Sequence, residues 1–114
     1  PEGDPAQAAV AASPGPILKW NGSIVSTTPP APKDLKNPYL RQRIVDIGTS
    51  RILAYDADGI RRTRAEAQAQ SEALIAQIGE SKDALACFWQ DICIFLTEAP
   101  GMGSPIERTR ISAP

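Results

Sequence analysis

Histidine is absent from this 114-residue chain, methionine occurs once, cysteine twice, and aromatic residues make up 5% of it. Without histidine there is no Ser/His/Asp set, no Cys/His pair and no histidine-containing zinc site. Cys87 and Cys93, in "CFWQDIC", are too few for a disulfide framework. Six residues apart on a helix they would face different ways, so they read as two buried free thiols. No charge of one sign dominates: 12 basic against 13 acidic residues leave a net charge of -1. That balance lacks the basic surface needed to neutralise phosphates, so nucleic acid is not an expected partner. Long apolar runs are missing too. The densest stretch, Ala84 to Leu96, is broken by Gln90 and Asp91 and falls short of the ~20 residues that span a bilayer. No membrane insertion, no metal and no cofactor are expected.

Proline is plentiful but unevenly placed: eight of the 11 prolines lie at or before Pro38. The chain opens at Pro1, and its "PEGDPAQAAVAASPGP" resembles the flexible stretch behind a cleaved export signal, or an interdomain linker. A processed or excised piece, periplasmic or secreted, is the expectation. "STTPPAPKDLKNP" forms neither a helix nor a central strand, because proline lacks the donor and fixes its own φ. Between these stretches, "ILKWNGSIVS" sets Asn21-Gly22 between apolar residues, the pattern of a tight type I′ hairpin. Asn21-Gly22-Ser23 is formally a glycosylation acceptor as well, but the turn is the preferred reading. The organisation expected is therefore an arm over residues 1–38, with a hairpin at 17–26, and one small domain over 39–114.

After Pro38, "YLRQRIVDIGTSRILAYD" carries β-branched stretches at Ile44 to Ile47 and Ile52 to Tyr55, separated by Gly48; two strands are expected. Helical periodicity then takes over. Thr63 and Glu66 form a capping box, Ala67, Leu74, Ile75 and Ile78 make an apolar stripe, and Gly79 offers a left-handed stop. Ser81 is a second cap, for a helix with Leu85, Phe88, Trp89 and Ile92 on one face. "ICIFLT" beyond it reads equally as a buried strand, and a short strand is expected around Ile106 to Ile111.

"AYDADGIRRTRAEAQAQ", Ala54 to Gln70, raises three chemical readings. As a calcium loop around Gly59, Asp56 and Asp58 would be ligands, but Ala54 and Ala65 would occupy positions that need side-chain oxygens. As an anion site, Arg61, Arg62 and Arg64 would gather at a helix start, although Asp56, Asp58 and Glu66 cancel much of their field. The third reading is a connection from a strand to a helix.

On that reading Thr49 to Ile92 resembles the first part of a parvulin-type peptidyl-prolyl isomerase. "SRIL" looks like the family's first strand, Arg62 to Ala67 like the opening of its long helix, and "DALACFWQD" like its second helix and exit. The resemblance implies an α+β fold: a small antiparallel sheet with two helices in a strand-helix-helix segment, behind the Pro-rich arm. It implies a prolyl cis-trans isomerase that assists folding and takes proline-containing polypeptides, with Arg51 and Asp91 in the catalytic network and Ile92, Phe95 and Met102 against the substrate proline. Arg51 stands where the family carries a histidine, and the later Gly-rich segment has only an echo in "PGMGSPIERTR". The acidic "YDADGI" argues against phosphate reading. The alternative is a non-catalytic peptide- or protein-binding domain of the cell envelope, using a strand edge or the pair Phe88 and Trp89. The oligomeric state stays open.

Overall fold

The computed structural model describes residues 17–56 and 61–98. Asp58-Gly59, Met102 and the segment 106–111 lie outside the described residues. Asn21 and Gly22, at φ 51 and 77, make the turn of a hairpin between β1 (Leu18–Trp20) and β2 (Ser23–Val25). Leu18 pairs with Val25, Lys19 with Ile24 and Trp20 with Ser23. This register sends Leu18, Trp20 and Val25 into the core and leaves Ile24 exposed. A 3-10 turn, Pro32–Lys36, follows, and then three helices: α1 (Pro38–Ala54), α2 (Arg64–Ile78) and α3 (Lys82–Glu98). Among the described residues the fold is α+β, with a two-stranded antiparallel sheet and three helices.

The largest correction to the sequence reading is α1, which runs through both stretches expected to be strands, including the "SRIL" segment. Its start is locally encoded. Pro38 occupies the first turn, where a missing N–H costs nothing, and the Asn37 side chain accepts from the backbone N–H groups of Tyr39 and Leu40 at 2.9 and 3.4 Å. Gln42 donates to Asp46 one turn on, at 2.8 Å. Ile44, Val45, Ile47, Gly48, Thr49 and Ser50 are all buried. That wide arc arises because α1 is packed by α2 on one side and by the 3-10 turn and α3 on others. Burial on several sides hides the helical stripe and makes the segment read as a β-branched run.

α2 starts with both halves of its capping box. Thr63 N–H donates to Glu66 at 2.8 Å and Glu66 N–H to Thr63 Oγ1 at 3.1 Å. Its buried line is Ala67, Ser71 and Ile75, with Leu74 and Ile78 partly buried beside the core. Gly79 is right-handed, at φ -65, so it is not the left-handed stop expected. Its smallness matters instead, since a Cβ there would stand 3.1 Å from Leu35 and 2.7 Å from the Ile75 carbonyl. Ser81 caps α3, accepting from Ala84 N–H at 3.1 Å, and "ICIFLT" continues the helix to Glu98.

One core joins every element: Leu18, Trp20, Val25 and Leu35 belong to the same cluster as Ile47, Ile75, Leu85, Phe88, Ile92 and Phe95. Hairpin and 3-10 turn are thus part of the folded unit, and the packed body begins well before residue 39. Two side-chain bonds fasten the hairpin: Trp20 Nε1 donates to Ser50 Oγ at 3.3 Å and Arg43 donates to the Ile24 carbonyl at 3.2 Å. Among the described residues no helix is long and apolar enough to cross a membrane.

Candidate functional site

Between the hairpin and the 3-10 turn the chain bends at Thr27 and Thr28, where Thr28 N–H donates to Ser26 Oγ at 3.0 Å, and Pro29 and Pro30, which cannot join a helix interior, follow beside α3. The Trp89 indole N–H donates to the Ser26 carbonyl at 2.9 Å. Trp89 is buried, held at its back by Phe88 with ring centroids 6.5 Å apart. Its remaining edge and Pro29 together form a wall between two surface grooves.

The larger groove, about 510 Å³, follows the outer face of α3. Asp83, Ala86, Cys87, Gln90 and Cys93 form its floor at helical spacing, and Thr27 and Pro29 close one side. The two cysteines therefore border one groove although they lie on different parts of the helix surface. Both thiols are free; Cys87 is exposed and Cys93 half-buried, which corrects the expectation that both are buried. Burial raises the Cys93 thiol above its ordinary pKa because it disfavours the thiolate.

The smaller groove, about 270 Å³, lies at the start of α1. Pro29, Pro30 and Leu40 give it an apolar rim, Val25, Ile44 and Trp89 show small apolar edges at its floor with Ile47 buried beneath them, and Arg43 and Asp34 are its two charges. Asp34 already accepts from the Ala31 backbone N–H at 2.9 Å. Exposed Ile24, Tyr39 and Leu40 extend the apolar surface around this end of the molecule.

No family model, curated protein or solved structure matches this chain.

The residues named from the sequence are distributed otherwise. Arg51 on α1 and Asp91 on α3 do meet, with guanidinium and carboxylate 3.9 Å apart and the side chains 31% and 56% exposed. Arg51 Nε is buried without a hydrogen-bond partner. Ile92 and Phe95 are fully buried; Phe95 meets Tyr55 edge-on at 5.4 Å, and Tyr55 O–H also donates to Glu98. They are core side chains that tie α1 to α3 and offer no surface to a substrate. Of the helix-start arginines, Arg62 is ion-paired with Asp56, which also accepts the Arg62 backbone N–H at 2.9 Å. Among the described residues no group of three or more acidic or thiol side chains is arranged to hold a metal.

Sequence reasoning missed Arg43 and the Pro29-Trp89 wall. The available signal was the coincidence of a Pro-Pro segment with a tryptophan elsewhere, since aromatic faces hold proline-rich backbone well. Nothing local to either segment says that they touch.

Proposed function

We propose that this chain is a non-catalytic protein-binding domain, which holds a short extended segment of a partner polypeptide in the grooves beside Trp89. The observation that carries the reading is the wall itself. Trp89 is braced by Phe88 and anchored by its N–H on Ser26, so the apolar grooves on either side of it are preformed, as binding sites usually are. The packing of the chain's own Thr28-Pro29-Pro30 beside the tryptophan supports a preference for proline-containing ligands. Extended proline-rich backbone loses little entropy on docking and leaves its carbonyls free for donors.

The isomerase reading implied by the parvulin resemblance asks for a pocket that favours the twisted amide. Arg51 and Asp91 are adjacent, but Ile92 and Phe95 beside them are buried and present no apolar contact for a proline ring. A peptide panel with and without proline, titrated into isotopically labelled protein, tests the binding reading: shifts should concentrate on Thr27, Leu40, Arg43, Gln90 and the Trp89 indole. A coupled isomerisation assay on the same peptides should run at the spontaneous rate. Acceleration that disappears in Arg51→Ala would sink the non-catalytic reading in favour of the enzyme.

A further inference from the structure

The smaller groove combines an apolar floor with a guanidinium at its edge, and its size limits what enters. At about 270 Å³ it lies just under the roughly 300–1,000 Å³ range of pockets for drug-sized ligands, so it suits one apolar side chain rather than a long segment. Arg43 carries five N–H donors, and one is engaged by the Ile24 carbonyl at 3.2 Å. That bond braces the side chain against β2 while leaving donors for a ligand. A planar guanidinium pairs best with a carboxylate, in a two-bond fork. Asp34 lines the same groove, and its negative charge opposes a doubly charged anion such as phosphate more than a single carboxylate.

Resting on the peptide-binding reading, we infer that the smaller groove receives the carboxyl-terminal residue of a partner polypeptide, an apolar residue whose side chain fills the floor while Arg43 holds its terminal carboxylate. The preceding residues of the partner then pass over exposed Leu40 and Tyr39.

Fluorescence anisotropy with the full chain tests this, using one labelled hexapeptide ending in isoleucine, prepared as the free acid and as the terminal amide. The free acid should bind at least about tenfold more tightly, in line with a hydrogen bond to a charged group, and the preference should shrink as salt rises. In Arg43→Met the two forms should bind alike, and Arg43→Lys should keep part of the preference. A folding defect in Arg43→Met lowers both affinities together, so the ratio still reports the contact. Equal binding of acid and amide by the unsubstituted protein, or an unchanged preference in Arg43→Met, overturns the carboxylate assignment and leaves the peptide-binding reading standing. Absence of binding by both forms overturns the carboxylate assignment, and if the whole peptide panel also leaves Trp89 unshifted the peptide-binding reading falls with it.

Discussion

Ser71 Oγ on α2 donates to the Val45 carbonyl on α1 at 2.8 Å, and the hydroxyl sits 2.5 Å from where a Cβ on Gly48 would stand. The same Cβ would meet Phe88 of α3 at 3.6 Å, so Gly48 marks the point where all three helices converge. Gly48→Ala should destabilise the fold by about 1–2 kcal/mol, overpacking outweighing the gain of about 1 kcal/mol in helix propensity. In a Ser71→Ala background the remaining neighbours are Phe88 at 3.6 Å and the residue-71 Cβ at 3.7 Å, both ordinary contacts, and Gly48→Ala should there become neutral or stabilising. A urea double-mutant cycle that finds the two substitutions additive would show that the hydroxyl does not set the crossing.

Trp89→Phe retains an aromatic ring but removes the N–H that holds Ser26. A loss of about 0.5–1.5 kcal/mol is expected, together with faster protease cleavage between Ser26 and Ala31. Lost stability without faster cleavage would mean that the bond does not anchor the segment.

Thr63→Ala removes the acceptor of the Glu66 N–H and should lower stability by about 1 kcal/mol. Thr63→Ser keeps the hydroxyl and should fall within a few tenths of the parent. Chemical denaturation of the two variants side by side checks the cap.

Cys87 is exposed and Cys93 half-buried, so an alkylating reagent should modify Cys87 first. With Cys87 replaced by alanine, the alkylation rate of Cys93 should rise at higher pH than in the unfolded chain, because burial raises its pKa. The sign for stability follows from linkage. A thiol whose folded pKa is raised contributes stability that is complete below the unfolded value, about 8.5, and is lost as pH rises through the folded value. Unfolding free energy in the Cys87→Ala protein should decline above that pH, and the decline should vanish when Cys93 is also replaced.

Features governed by neighbouring residues were legible in the sequence. Asn21-Gly22 tolerates positive φ, Thr63 and Glu66 satisfy each other's backbone, and Ser81 lies three residues before the N–H it accepts. The segment from Pro38 to Ala54 was misread because its β-branched residues carry a local strand preference, and the partners that override it are α2, α3 and the 3-10 turn. Asn37-Pro38 was the local clue, a cap followed by a first-turn proline.

The candidate site was less legible still. Arg51 and Asp91 could be named and they do meet, whereas Ile92 and Phe95 turned inward with the buried face of α3. Amino-acid order alone determined where the chain turns and where the capped helices begin, since those choices depend on groups a few bonds apart. Which face of each helix is covered, why Gly48 must be small, and that Pro29 stands beside Trp89 were decided only by the tertiary structure. Those contacts join residues distant along the chain, and packing fixes them once all elements share one core.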